Sequence, residues 1–220
     1  MHFYTNMMLN IFFTLAVPAF LLGSCLGYGQ DATGQPVLFY LHGRIVEEQG
    51  IEAVSERFGK YEYTEIVQAF EEAGFRVISE ARPANTDRLL YAEKVAGQIQ
   101  DLIGQGIKPS DITVVGASKG GVIAMTVSTL LQNDQLNFVL LANCNEGIRQ
   151  HYDILLCGRI LSIHEASDEI GNSCVGIFED ADCPLTTHEI QLETGLEHGF
   201  IYRPLDAWMK PAINWAIKSH

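Results

Sequence analysis

One short segment places a serine between two glycines at the spacing of a sharp turn. Residues 116–120 read Gly-Ala-Ser-Lys-Gly, between an apolar run that ends at Val115 and a helical pattern that begins near Val122. A serine at such a strand-to-helix turn projects its hydroxyl group from the edge of a sheet, and the glycines leave room for neighbouring backbone. The segment therefore predicts Ser118 as a nucleophile. A glycine-rich turn without chemistry is the alternative, because the pentapeptide is common by chance.

A serine nucleophile needs a base to remove its proton and a carboxylate to orient that base. His198 follows the last predicted strand and precedes the C-terminal helix, so we expect it at the same edge of the sheet as Ser118. Asp168 follows the strand over 159–164. It lies between Ser118 and His198 in the chain, which gives the order serine, aspartate, histidine. The alternatives are the other histidines and two nearby glutamates: His42, His151, His164, His188 and His220, and Glu165 and Glu169.

The elements that would position these residues alternate between strands and helices. Apolar runs predict six strands, over 36–41, 75–79, 111–115, 138–141, 159–164 and 190–192. Helical spacing predicts helices over 61–73, 86–103, 122–131 and 205–217. This alternation indicates an α/β fold with a right-handed, mostly parallel sheet, helices on both faces, and reactive groups at the carboxyl ends of the strands. No segment is long enough for a large cap domain, so we expect residues 44–60 and 144–157 to build the substrate pocket.

Four motifs resemble those of the α/β-hydrolase superfamily, and of its small lidless bacterial members in particular: YLHGR (40–44), GASKGG (116–121), IHEASD (163–168) and LEHGF (196–200). The resemblance covers roughly residues 37–217. It implies a serine esterase without a cofactor, which cleaves an ester or thioester through an acyl-enzyme on Ser118. It also implies an oxyanion hole made by the backbone N–H groups of Arg44 and Lys119. The usual first two strands are absent, which implies a reduced sheet of about six strands.

Two arginines near the expected site could bind a charged group of the substrate. Arg44 lies in the first of the four motifs and Arg82 ends a predicted strand, and a planar guanidinium suits a carboxylate or a phosphate. For Arg44, an ion pair with Glu47 or Glu48 is favoured over a contact with the substrate. The same two interpretations, an ion pair or a contact with the substrate, apply to Arg82. The side chain of Lys119 is expected to point to solvent.

The N-terminus has the composition of a targeting segment. Residues 1–30 contain no Lys, Arg, Asp or Glu, and the apolar run over 7–22 is short for a membrane span. We expect a signal peptide over 1–24 and the hydrolase domain over 30–220. The four residues LGSC that end in Cys25 resemble a bacterial lipobox, which implies attachment to a membrane through a lipidated cysteine. Simple cleavage, giving a periplasmic or secreted protein, is the equal alternative, and an uncleaved membrane anchor is a third.

Charge and cysteine content restrict the expected partners. The net charge of −13 argues against nucleic acid and anionic membrane surfaces as partners. The partner that the resemblance implies is a small-molecule acyl substrate. Neither CxxC nor HExxH occurs, so no zinc site is expected. The cysteines after Cys25 are even in number, which favours disulfides in an exported chain: Cys144, Cys157, Cys174 and Cys183. A bridge from Cys174 to Cys183 would close the shortest loop, and four free buried thiols are the alternative.

Three other functions remain open at this point. A protein of the cell envelope could keep the fold for binding alone, although binding does not require a serine, an aspartate and a histidine in this order. An amidase or an acyltransferase could use the same three residues. A metal-dependent hydrolase is a third and weaker reading, and the sequence predicts no oligomeric state.

Overall fold

The computed structural model describes residues 1–2, 34–179, 181 and 183–217. Its strands are β1 (Val37–Leu41), β2 (Val54–Ser55), β3 (Gly59–Lys60), β4 (Arg76–Ile78), β5 (Ile112–Ala117), β6 (Asn137–Leu141), β7 (Gly158–Glu165) and β8 (Leu185–Leu192). Its α-helices are α1 (Arg44–Gln49), α2 (Tyr63–Glu72), α3 (Arg88–Gly104), α4 (Lys119–Leu131), α5 (Glu146–His151), α6 (Val175–Phe178) and α7 (Asp206–Ile217).

Six of these strands form one sheet, in the order β4-β1-β5-β6-β7-β8. Every neighbouring pair in it is parallel, which confirms the predicted reduced sheet. Every residue of β1, β5 and β6 is buried, because these inner strands are covered on both faces. One hydrophobic cluster lies around Trp208 of α7, and the other lies around α3 and α4 on the opposite face.

The structure differs from the predicted elements where the hydrophobic signal is weak. β8 has eight residues where three were predicted, because it is an edge strand whose first residues are mostly exposed and polar. The helices α1, α5 and α6 have only six, six and four residues, which is too short for a helical period to show. The antiparallel pair of β2 and β3, also unpredicted, lies between α1 and α2 in the chain. No cap domain is inserted between the strands of the described part of the chain.

The disulfide pairing corrects the expected Cys174–Cys183 bridge. The bonds join Cys144 to Cys174 and Cys157 to Cys183. Cys174 and Cys183 lie on opposite sides of α6, in the connection that carries the chain from the carboxyl end of β7 back to the amino end of β8. Each therefore pairs with a cysteine at its own edge of the sheet, since Cys144 follows β6 and Cys157 precedes β7.

The N-terminal predictions fall almost wholly outside the described residues. The expected signal peptide, apart from Met1 and His2, lies there, and so do Cys25 and the first residues of the expected domain. Within the described residues, no helix has the length and apolar character needed to cross a membrane.

Candidate active site

Ser118 occupies a strained turn between β5 and α4. Its φ of 51° and ψ of −119° lie in a region that side-chain-bearing residues rarely adopt, and its N–H donates to the carbonyl of Leu141 at 2.8 Å. The flanking glycines are required by close backbone contacts. A Cβ atom at Gly120 would lie 1.9 Å from the carbonyl oxygen of Leu41, and one at Gly116 would lie 2.4 Å from that of Gly120. The turn thus holds the serine hydroxyl at the carboxyl edge of the sheet.

The structure brings the three predicted side chains together. His198 Nε2 lies 3.0 Å from Ser118 Oγ, and His198 Nδ1 lies 2.7 Å from Asp168 Oδ2. Because an ionised carboxylate only accepts hydrogen bonds, Nδ1 carries the proton and donates to Asp168, and Nε2 accepts from the serine hydroxyl. His198 and Asp168 are only 6% and 4% exposed, so water competes little for these hydrogen bonds.

Asp168 is oriented by its own loop. Its Oδ1 accepts a hydrogen bond from the N–H of Ile170 at 2.8 Å, which leaves Oδ2 to face His198. Further along the loop, the N–H of Asn172 donates to the carbonyl of Cys144 at 2.6 Å, beside the Cys144–Cys174 disulfide. The loop after β7 is therefore fastened to the segment after β6.

The two alternative carboxylates do not contact His198. Glu165 accepts hydrogen bonds from Thr194 N–H and Oγ at 2.9 and 2.7 Å and from Gly195 N–H at 3.2 Å. Burial acts to raise the pKa of Glu165, but these hydrogen bonds to its ionised form outweigh burial and lower the pKa below its ordinary value. Glu165 thus holds the turn that precedes His198, whereas Glu169 is exposed.

The other histidines lie elsewhere. His164 is near Gln191, His151 bonds the carbonyl of Gly147, and His188 stacks on Trp215, while His220 lies outside the described residues.

His42 is buried behind the site. Its Nδ1 donates to the carbonyl of Gly43 at 2.8 Å, and its Nε2 accepts from the N–H of Arg82 at 2.9 Å. Burial, aided by the Arg82 charge, lowers the pKa of His42 to about 4.

The two residues expected to form an oxyanion hole each begin a helix. Arg44 is the first residue of α1 and Lys119 the first of α4. The first N–H groups of a helix have no acceptor within that helix, so both can serve a ligand. Arg44, Lys119 and Ser118 all line the same cleft.

Arg82 forms an ion pair, which is one of its two expected roles, whereas Lys119 departs from its expected position. The Arg82 side chain is fully buried, with Nε donating to Glu47 Oε1 at 2.7 Å and Nη2 donating to the carbonyl of His42. It does not line the cleft, so of its two expected roles the structure shows the ion pair and not the contact with a substrate. The ammonium group of Lys119 does not point to solvent but donates to Glu47 Oε2 at 2.5 Å and to the carbonyl of Thr86 at 2.8 Å.

The favoured ion pair of Arg44 is also absent from the described residues. Glu47 faces inward from α1, and its two carboxylate oxygens bind Arg82 and Lys119. Arg44 is exposed at the cleft and forms no ion pair with Glu47 or Glu48 within the described chain. Both oxygens of Glu47 are instead bound by Arg82 and Lys119, which come from distant parts of the chain that no local pattern connects with α1.

The cleft has a volume of about 750 Å³ and opens beside Ser118. Both segments expected to build it contribute lining residues, the first from α1 and from residues 54–56 and 58, and the second from residues 145, 148 and 152. Sequence reasoning missed several lining residues that lie outside those two segments, among them Tyr61, Arg88 and Asn143. None of them belongs to a motif, so no local signal marked them.

Within residues 1–2, 34–179, 181 and 183–217, no three His, Cys, Asp or Glu side chains are grouped so that they could hold a metal ion.

Comparison with known proteins identifies the fold. Neither a protein-family model nor a curated protein sequence matches the chain. The structure is similar to an α/β serine hydrolase without a lid from Xanthomonas campestris, at 12% identity and a TM-score of 0.56 over 86% of this chain and 84% of that one. It is also similar to an α/β-hydrolase enzyme from a Medee basin deep-sea metagenome library (17% identity, TM-score 0.54, 84% of each chain) and to a sugar hydrolase from Lactococcus lactis (15%, 0.51, 84% of this chain and 89% of that one). The chain therefore has the fold of the α/β-hydrolase superfamily.

Proposed function

We propose that this protein is a serine hydrolase in which Ser118 is the nucleophile, His198 the general base and Asp168 the residue that orients the base. One observation carries the proposal: a continuous hydrogen-bonded chain joins Ser118 Oγ to His198 at 3.0 Å and His198 to Asp168 at 2.7 Å. The fold supports it, because such sheets collect reactive groups at the carboxyl ends of their strands.

The proposed reaction is acyl transfer to water. Ser118 Oγ forms a bond to the substrate carbonyl carbon while its proton moves to His198 Nε2. The N–H groups of Arg44 and Lys119 stabilise the negative oxygen of the tetrahedral intermediate. This intermediate collapses as the bond to the leaving alcohol or thiol breaks, and His198 returns the proton to that group. Water then attacks the acyl-enzyme with the same base, which releases the acid and restores the Ser118 hydroxyl.

The substrate class we propose is a carboxylic ester or thioester, cleaved without a cofactor. The 750 Å³ cleft next to Ser118 has room for a small acyl compound. Arg44 remains a proposed substrate contact, since its exposed side chain lines this cleft. An amidase or an acyltransferase would use the same three residues, and a screen of acyl esters, thioesters and amides, with and without added alcohol, separates these activities.

Labelling with a fluorophosphonate probe tests the nucleophile. We expect the folded wild-type protein to form a covalent adduct that mass spectrometry locates at Ser118, and we expect Ser118→Ala to lose both labelling and ester hydrolysis. The stability of this variant should change by less than about 1 kcal/mol, because the substitution is small and leaves the core intact. Ser110→Ala, distant from the cleft, is the matched control and should label normally. A folded wild-type protein that neither labels nor hydrolyses any acyl substrate would favour a binding protein of the cell envelope.

We also propose that the protein is exported and that Cys25 becomes its lipidated N-terminus. The proposal rests on the uncharged, apolar first thirty residues and on the LGSC segment. Mass spectrometry of the mature protein tests it. A diacyl or triacyl modification on Cys25, absent from Cys25→Ala, is expected, whereas an unmodified N-terminus after cleavage would favour a freely periplasmic or secreted protein.

A further inference from the structure

The floor of the cleft follows one face of α4. Ser118 immediately precedes this helix, and Val122 and Thr126 follow at intervals of four residues, which places all three on one side. Ser118 and Val122 both line the cleft. The side chain of Arg88, at the start of α3, also lines the cleft and donates a hydrogen bond to Thr126 Oγ. At about 1.5 Å per residue, Thr126 lies about 12 Å from Ser118 along the helix.

The guanidinium of Arg88 is held in place without a counter-ion. It lies over the ring of Tyr152, with its central carbon 4.2 Å from the ring centroid, and the residue is half-buried. It forms no ion pair with any carboxylate in the described part of the chain. A partly desolvated cation without an anion is unfavourable, and most of its five donors remain available to a ligand.

The other two cations of the cleft are placed differently from Arg88. The ammonium group of Lys119 is bound by the buried carboxylate of Glu47, which it shares with Arg82. Arg44 lies at the other end, next to Ser118, and its exposed side chain forms no ion pair with Glu47 or Glu48 within the described chain. The far end of the cleft thus holds a positioned, uncompensated guanidinium, and the apolar side chains of Val122 and Ile148 line the same cleft.

Building on the proposed hydrolase function, we propose that Arg88 binds a carboxylate at the far end of the substrate, so that the preferred substrates are monoesters of dicarboxylic acids. The reacting carbonyl lies at Ser118, a methylene chain runs over the apolar stretch, and the second carboxylate pairs with the guanidinium. One cation at this end matches a singly charged carboxylate rather than a doubly charged phosphate monoester. With a net charge of −13, the protein as a whole repels anions, so a preference for an anionic substrate requires a local site.

Matched 4-nitrophenyl esters test the proposal. The mono-4-nitrophenyl esters of glutaric, adipic, pimelic and suberic acids are compared with analogues in which the far carboxylate is a primary amide of equal size. We expect kcat/KM of the wild-type protein to be at least tenfold higher for the acid than for the amide at the best chain length. The difference should lie mainly in KM and should shrink at high salt, because ion pairing is screened.

Variants locate the preference at Arg88. Arg88→Met keeps the length of the side chain and its contact with Tyr152 but removes the charge, so the acid-to-amide ratio should fall to about one. Arg88→Lys keeps the charge and should retain part of the ratio. Lys94→Gln is the matched control, because it removes one charge from an exposed position of the same helix, where Lys94 pairs with Glu80. This control should retain the wild-type ratio.

The outcomes separate this inference from the proposed function. Equal rates for acids and amides, or a ratio that Arg88→Met leaves unchanged, would overturn the role of Arg88 while the hydrolase activity stands. If Arg44→Met lost the acid-to-amide ratio of kcat/KM and Arg88→Met kept it, the carboxylate would bind near Ser118 and not at Arg88. That result would also overturn the proposal. Absence of both ester hydrolysis and fluorophosphonate labelling would instead defeat the proposed function itself.

Discussion

Glu47 and Lys119 form an ion pair, 2.5 Å between Oε2 and Nζ, that joins α1 to α4. Arg44, the first residue of α1, and Lys119, the first residue of α4, carry the two backbone N–H groups proposed to bind the oxyanion. Glu47 is buried and also binds Arg82, so one carboxylate connects the two proposed halves of the oxyanion hole to the core. We infer that this carboxylate sets the spacing of the two donors.

Replacing Glu47 by Gln should lower both stability and turnover. Loss of the charge leaves two cations facing a neutral amide, and breaking a buried ion pair costs about 3–5 kcal/mol of unfolding free energy. Displaced oxyanion donors should reduce kcat by about tenfold or more with a smaller change in KM. Urea unfolding and steady-state kinetics measure the two effects. Glu48→Gln, exposed on the same helix, should change the unfolding free energy by less than about 0.5 kcal/mol, and an equal loss in this control would contradict the assignment.

The Asp168→Asn variant tests which acid orients His198. An amide at this position can donate to Nδ1 and so favours the tautomer that cannot accept the serine proton, for which we expect kcat to fall by about 10³–10⁴-fold. Ester hydrolysis at saturating substrate is the measurement. The exposed neighbour Glu169, replaced by Gln, serves as control and should keep nearly full activity. If Asp168→Asn retained more than a tenth of wild-type turnover, another residue would have to orient the histidine.

The buried His42 should make stability depend on pH. Burial lowers its pKa in the folded protein from 6.5 to about 4, so between these values the unfolded chain binds a proton that the folded chain does not. The stability associated with the neutral ring is therefore fully present above pH 6.5 and is lost as the pH falls towards 4, by about 3 kcal/mol in total. Unfolding free energies measured from pH 7 to pH 4.5 should fall less steeply in His42→Gln. Identical slopes in the two proteins would show that His42 does not contribute.

The two disulfides should differ in their effect on activity. Each closes a loop of similar length, with sequence separations of 30 and 26 residues, so removing either should cost about 3–4 kcal/mol of stability. Only the Cys144–Cys174 bond braces the loop that carries Asp168. We expect the Cys144→Ala, Cys174→Ala double variant to lose at least tenfold in kcat under conditions where it is folded. The Cys157→Ala, Cys183→Ala double variant is the matched control and should stay within about threefold, and equal losses in both would argue against a specific brace.

The parts of the molecule that could be predicted are those encoded over a few neighbouring residues. The apolar run before Ser118, the flanking glycines and the helical pattern after them all lie between residues 111 and 131, so the turn is a local property. The six strands of the large sheet and the four longer helices are local properties as well, because the spacing of their apolar residues predicts which faces are buried. Asp168 and His198 followed from chain order combined with the rule that parallel strands bring their carboxyl ends to one edge.

The remaining features depend on distances between elements that are far apart in the chain. Glu47 could have paired with Arg44, but the inward turn of α1 placed it against Arg82 and Lys119. Cys174 pairs with Cys144 rather than Cys183 because the crossover at α6 separates the ends of its own loop. Arg88 enters the cleft because α3 packs beside α4. The sequence alone determined the order of the six sheet strands and the four longer helices and the turn that carries Ser118, since these arise from local burial patterns. Only the tertiary structure decided which charges and which cysteines meet, because such pairings depend on three-dimensional proximity that no local pattern records.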